Sequence, residues 1–314
     1  MKTGNLYILL LGVLFWAIGV SSCDRSPEHR TTIAVVPKAD DASVAEAKAA
    51  ALAARDMYGI AVRWDVSRNL TAESQAELIG KLAAAGVDGI LLSSIDAEAE
   101  VLREAIDAAV AAGIVVGTFD SDAPESGRSF YIGSDNTAAG ELAARTLRAL
   151  CEEAGRSATG VGVFGGAEGD AAMTQRLAGF LSVVPDTAAT FWANGAGSSA
   201  GRTQVVDFLT KEAQRPINGV VFLSGETVVD GPGTMARLDS LCRPATDNDG
   251  AAAAAVFFDP SEPVLEFVAE MPHCAAIRQD FGAMVYGGIE RLLHAIRGES
   301  FGEAVTYTPV EVVR

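Results

Sequence analysis

Cysteine and histidine are scarce, with four and three copies in 314 residues. No Cys-x-x-Cys pair occurs, so the material for a structural zinc site is missing. Aromatic residues make up only 7%, which disfavours a β-sandwich. Lys and Arg number 24 against 41 Asp and Glu, a net charge of −17. That deficit of positive charge argues against a nucleic-acid partner held on a basic face. What is abundant is Ala and Gly, in a chain that is 49% apolar and 21% charged. This is the composition of an ordinary globular protein built from closely packed helix-on-sheet layers. The length suggests two domains, each able to bury a proper core.

Long apolar runs are also lacking. The N-terminus carries Lys2 and then 15 largely apolar residues, Leu6 to Val20. As a helix these span about 22 Å, short of a bilayer core of roughly 30 Å. A signal peptide over residues 1–22 fits that length better than a spanning helix. Val20-Ser21-Ser22-Cys23 resembles the lipobox of bacterial lipoproteins, in which the cysteine is acylated and becomes the new N-terminus. Residues 23–31 are polar, contain Pro27, and read as a tether. The expectation is an exported chain, lipid-anchored through Cys23 on the periplasmic or extracytoplasmic face of a membrane.

From Thr32 a short apolar run, a turn and an Ala-rich amphipathic helix alternate. Strand-like runs start near Thr32, Ile60, Gly89 and Ile114, spaced by 25 to 29 residues, and again near Gly160, Ala188, Asn218 and Ala252. That spacing suits strand–helix–strand units, and runs without alternation suit parallel strands covered on both faces. A helix is predicted over Ala72–Ala85, ended by Gly86. Another is predicted after an Asp96 cap, with Val101, Ala105, Ile106, Ala109 and Val110 inward. The fold class is therefore α/β, two Rossmann-like lobes joined near Ser134–Asp135. Open parallel sheets bind ligands beyond the carboxyl ends of their strands.

Polar residues gather at those ends. Lys38, Asp40 and Asp41 follow the first run, Ser93, Ser94 and Asp96 the third, and Asp120, Ser121 and Asp122 the fourth. In the second half Glu168 and Asp170, Ser224 and Glu226, and Asp259 take the matching places. Any one of them is explained as a helix cap or turn residue. Their recurrence at one end of two sheets points to a shared polar cleft, suited to a small ligand bearing hydroxyl or amine donors. Gly197-Ser198-Ser199-Ala200-Gly201 matches the nucleophile-elbow pattern. It does not sit directly on a strand end, so an esterase built on Ser199 is a remote alternative. Cys151 shares a helix face with Leu147 and Leu150 and reads as a buried thiol. Cys242 and Cys274 are left open as a disulfide or two thiols.

Thr118-Phe119-Asp120-Ser121-Asp122-Ala123-Pro124, Tyr131-Ile132-Gly133-Ser134-Asp135-Asn136, Ala139-Gly140 and Arg176-Leu177-Ala178-Gly179-Phe180 carry a resemblance, as do Phe257-Phe258-Asp259 and Ile277-Arg278-Gln279-Asp280. In this order they are similar to the ribose-type periplasmic binding proteins, the sugar-binding receptors of ABC importers. The resemblance covers Ile33 to Val313. It implies two α/β lobes joined by a three-segment hinge: residues 32–134 plus 280–307, and residues 135–279 plus 308–314. By resemblance Asp120 is the first-lobe aspartate that binds sugar hydroxyls, and Ser94 replaces a ligand-binding amide. Asp259 and Gln279 match the second-lobe aspartate and hinge glutamine. Thr174 lies where the usual arginine is replaced, with Arg176 close by. Pro37-Lys38 looks like the loop of autoinducer-2 and rhamnose receptors whose lysine contacts ligand. The aromatic residues that stack on sugar in ribose-type receptors are missing after the first strand.

These readings imply a non-enzymatic, monomeric binding protein, without cofactor or metal, that captures a small sugar-like solute for an ABC permease. A sensor presenting its bound form to a chemoreceptor or kinase is the alternative.

Overall fold

A computed structural model describes residues 29–38, 44–158, 160–165, 170–184, 189–192, 218–225, 232–243 and 252–314. The first half runs β1 (Thr32–Val36), α1 (Ala45–Tyr58), β2 (Ala61–Trp64), α2 (Ala72–Ala84), β3 (Gly89–Leu92), α3 (Glu100–Ala111), β4 (Val115–Phe119) and β5 (Phe130–Ser134). The second continues with α4 (Asn136–Glu153), β6 (Val161–Gly165), α5 (Ala171–Val183), β7 (Ala189–Trp192) and β8 (Gly219–Phe222). After these come α6 (Pro232–Cys242), β9 (Ala254–Phe258), α7 (Glu262–Glu270) and β10 (Cys274–Gln279). The chain ends with α8 (Phe281–Ile296), β11 (Val305–Thr308) and β12 (Val310–Val313). Every apolar run read as a strand from the sequence is one.

The strands form two six-stranded sheets, ordered β11-β5-β4-β3-β1-β2 and β12-β10-β9-β8-β6-β7. The orders are the same, strand for strand. All pairings are parallel except β10 with β12. Each sheet is covered on both faces, which is why β3, β6, β8 and β9 are buried from end to end. On the first sheet, α1 and α8 pack Ala47, Ala51, Met284, Ile289 and Leu292 on one face. Ile79 and Leu82 of α2 with Leu102 and Ile106 of α3 cover the other. On the second sheet α4 and α5 cover one face, while Leu238 of α6 and Val264, Phe267 and Val268 of α7 cover the opposite one.

The chain passes between the sheets three times, each time through one residue: Asp135, Asp280 and Pro309. The two aspartates begin the helices that follow. Asp135 accepts from the Ala138 amide at 2.9 Å and Asp280 from the Ala283 amide at 2.7 Å. Two local expectations shift. Asp96 accepts from the Glu98 amide in a turn, so α3 starts later, after Ala99. Its buried face is Leu102, Ile106 and Ala109, with Val101 exposed.

Cys151 is fully buried on α4 and its thiol donates to the Asn218 carbonyl at 3.3 Å. Burial pushes that thiol up to about 11. Cys242 and Cys274 are free, buried neighbours in one core. Among the described residues no helix is long and apolar enough to cross a membrane.

Candidate ligand-binding site

The site begins with two strand ends. Asp120 follows β4 and Asp259 follows β9, the same strand in each sheet, and both have left-handed backbones, at φ 57° and 48°. Such a conformation costs an L-residue roughly 1–2 kcal/mol, and Asp tolerates it better than most. Finding it twice, at equivalent positions and on carboxylates, marks these turns as held by their surroundings.

The first lobe holds Asp120 tightly. Ser93 donates to its Oδ2 at 2.8 Å, and the Tyr131 hydroxyl donates to its carbonyl at 2.9 Å. Gln75, fully buried on α2, donates to the Ser93 carbonyl and accepts from the Ile95 amide, which fixes the loop after β3. Burial, with Asp120 and Asp122 nearby, pushes the Tyr131 phenol well above its ordinary range, so it stays a donor.

The second lobe is built around Arg176, 1% exposed on α5. Its Nε donates to Asn136 Oδ1 at 2.9 Å, its Nη1 donates to the Leu223 carbonyl at 2.7 Å, and Asp259 Oδ2 lies 3.4 Å from Nη1. The guanidinium sits 4.5 Å from the ring centre of Phe258. Two glycines allow this depth. A Cβ on Gly140 of α4 would strike the Arg176 carbonyl, and one on Gly179 of α5 would strike the Thr137 carbonyl. The two helices therefore pack backbone to backbone, which seats Arg176 under the strand ends. Gln279 Nε2 donates to both oxygens of Asp259, at 3.0 and 2.9 Å. Burial raises the Asp259 carboxyl, and Arg176 and Gln279 offset this only in part.

Lys38, just after β1, joins the halves. Its Nζ donates to Ser121 Oγ at 2.7 Å and lies 3.2 Å from Asp120 Oδ2 and 3.1 Å from Asp170 Oδ2. Asp170 caps α5, accepting through Oδ1 from the amides of Ala172 and Met173. Burial pushes its carboxyl up, but Lys38, Arg176 and the Met173 amide outweigh that and hold it low. Lys38 and Asp120 also act electrostatically on Asp259, the lysine lowering and the aspartate raising its carboxyl.

Two buried side-chain atoms of this set, Ser94 Oγ and Gln279 Oε1, have no partner among the described residues. An unmet buried polar group costs about 1–3 kcal/mol, so both are points where a polar ligand would gain.

The structure thus brings together Lys38, Ser94, Asp120, Arg176, Asp259 and Gln279. Asp122 and Thr174 do not join them. Asp122 is taken by a bidentate pair with Arg128, by the Thr118 hydroxyl at 2.6 Å and by the Ala123 amide. Thr174 is exposed and donates back to the Asp170 carbonyl at 3.0 Å. Asp40, Glu226, Ser199 and Cys23 lie outside the described residues. Sequence reasoning did not single out Tyr131, Asn136 or Asp170 as site residues. The first two stand in the segment that carried the resemblance, and Asp170 in the strand-end set.

Residues 33–300 match the profile of the Periplasmic binding protein domain. No curated protein gives a significant match. Among solved structures, a carbohydrate transporter solute-binding protein from Agrobacterium radiobacter, in complex with D-arabinose, is 22% identical with a TM-score of 0.78. That match covers 91% of this chain and 95% of that one. GanP, a glucose-galactose binding protein from Geobacillus stearothermophilus, is 23% identical, with a TM-score of 0.76 over 91% of this chain and 98% of its own. An ABC transporter periplasmic solute binding protein from Actinobacillus succinogenes with bound D-allose is 22% identical, with a TM-score of 0.75 over 90% and 97%. These structures share the fold, and with residues 33–300 matched the chain belongs to the periplasmic binding protein domain family.

Proposed function

We propose that this chain is a lipid-anchored extracytoplasmic receptor that captures a small sugar-like solute between its lobes and hands it to an ABC permease. The observation that carries this reading is the pair Asp120 and Asp259. They stand at equivalent strand ends of two sheets, in the same strained backbone, with Lys38 and Arg176 beside them. Carboxylates held this way accept from hydroxyls of a polyol from opposite sides, each charge-assisted bond contributing roughly 1.5–3 kcal/mol. The three one-residue crossings support lobes of residues 32–134 plus 280–307, and 135–279 plus 308–314, except that Thr308 pairs with Ser134 and goes with the first. Structural neighbours that hold D-arabinose and D-allose make free aldoses the first solutes to try.

A thermal-shift screen over aldoses, polyols, amino sugars and nucleosides tests the reading. A solute at 100 times its Kd adds about 2.7 kcal/mol, several degrees of Tm for a protein of this size. Asp120→Ala and Asp259→Ala are each expected to weaken the hit more than tenfold. Unchanged affinity in both variants, or a flat screen, would remove the site. For the anchor, a labelled fatty acid should enter the wild-type chain in its host and not Cys23→Ser; equal labelling would refute acylation there.

A further inference from the structure

We propose that Cys242 and Cys274 are the two halves of a disulfide, made after export while the chain is still unfolded and then sealed into the core of the second lobe. The inference rests on the extracytoplasmic address proposed above and is independent of the solute site. Both cysteines carry free thiols in this structure, the form from which the bond is made.

The fold brings the two together from elements far apart in sequence. Cys242 is the last residue of α6 and Cys274 the first of β10. The Ala253 amide donates to the Leu241 carbonyl at 3.0 Å, which ties the end of α6 to the chain entering β9. Cys274 stands opposite Ala255 in the parallel β9–β10 ladder, one strand spacing of about 4.8 Å away. Both side chains are buried in one core with Leu238, Phe267 and Met271. Their thiols meet there as hydrogen-bonding neighbours. Cys151 is the contrast, since it lies in a different core and donates its thiol to the Asn218 carbonyl. A small apolar residue fills such places as well as cysteine does, but two thiols in contact have a chemistry that alanine and valine lack.

That chemistry is exchange with a small-molecule or protein disulfide, the class of oxidant met outside the cytoplasm. One cysteine thiolate attacks a sulfur of the oxidant, forming a mixed disulfide and expelling one thiolate. The second cysteine attacks the sulfur of the first and expels the other. Two protein thiols are oxidised, one disulfide is reduced to two thiols, and those thiols take up the protons. Attack needs a thiolate. In the folded chain the adjoining Cys274 thiol and burial push the Cys242 thiol far above its ordinary range, and neither side chain is open to an oxidant. The reaction therefore belongs to the unfolded chain, whose thiols titrate at about 8.5. After folding, the same burial keeps reductants out. The bond closes a loop of about 30 residues, and its gain comes from restricting the unfolded chain.

The test uses the full chain and no solute, so its outcome is separate from that of the screen. Reduced protein is kept folded in one sample and unfolded in guanidinium and refolded in another, both in the same mixture of oxidised and reduced glutathione. Glu262, Glu266 and Glu270 lie between the cysteines, so cleavage at glutamate should release two peptides joined through Cys242 and Cys274 from the refolded sample. The folded sample should keep both thiols at least about tenfold longer. The linked protein should melt about 5–10 °C above the reduced one. Cys151→Ser should link as wild type does, and Cys274→Ala should lose both the joined peptides and the gain in Tm on oxidative refolding. Free thiols at both positions after refolding, a link to Cys151 instead, equal oxidation of the folded and unfolded samples, or a linked form no more stable than the reduced one would each overturn the proposal. Chain taken from its host with thiols blocked at lysis should carry the same link. Free thiols there, beside a link made on refolding, would overturn the extracytoplasmic address and not the pairing.

Discussion

Replacing Arg176 by Met is expected to destabilise the protein by about 3–5 kcal/mol, the cost of stranding one partner of a buried charge pair. At roughly 2–4 °C per kcal/mol for domains of this size, Tm should fall by around 10 °C. The guanidinium answers three buried acceptors, Asn136 Oδ1, the Leu223 carbonyl and Asp259, and Met returns none of these bonds. The loss should also depend on pH, with a definite sign. Asp259 has a folded pKa raised by burial, above its unfolded value near 3.9. Such a carboxyl favours folding while protonated and costs stability as pH rises through the folded value. Without Arg176 its folded value rises further, so the penalty should be smaller at about pH 5 than at about pH 8. Thermal unfolding of both proteins at the two pH values reads this. A variant within 1–2 °C of wild type at both, a small shift on that per-kcal scale, would mean that the second lobe does not depend on this centre.

Gly179→Ala and Gly140→Ala are the second pair with large expected effects. Elsewhere on a helix, Gly to Ala gains up to about 1 kcal/mol. Here each added methyl meets a backbone carbonyl of the facing helix, which has no rotamer to give way. Overpacking of a well-filled core costs typically 1–3 kcal/mol, and a collision with main chain belongs at the top of that range. Gly80 is the internal control. It lies on α2 with nothing within 4 Å of its Cβ position, so Gly80→Ala should hold or raise Tm. Moving α4 from α5 also lifts Arg176 away from Asp259, so solute affinity should fall with stability in the two tight variants and stay intact in the control. Equal Tm across all three would contradict the close packing.

The sequence makes the frame legible wherever burial is two-sided. Runs such as Thr32–Val36 and Gly219–Phe222 are apolar because helices cover both faces, and nothing but a strand fits their length. Strands β11 and β12 give a fainter signal. They lie at sheet edges, carry Thr306, Tyr307 and Glu311, and mix partly buried with exposed residues. Asp96 looked like a cap because its residue type suits one, but two turn residues more were needed before α3 could begin. In the site, Phe119-Asp120 and Phe258-Asp259 repeat one dipeptide after the same strand of each sheet, a signal that sequence carries by itself. Which neighbouring carboxylate is spent elsewhere is not such a signal. Asp122 looks equivalent to Asp120 until Arg128 folds back onto it. The depth of Arg176 depends on two glycines on different helices, and the reach of Lys38 to Asp170 depends on how the lobes meet. Both are properties of packing, not of local pattern.

The most direct measurement is a crystal structure of the protein with the best solute from the screen. Polar atoms of the solute should lie within hydrogen-bonding distance of both the Asp120 and the Asp259 carboxylates. A solute held by one lobe alone, or bound away from both strand ends, would contradict the account.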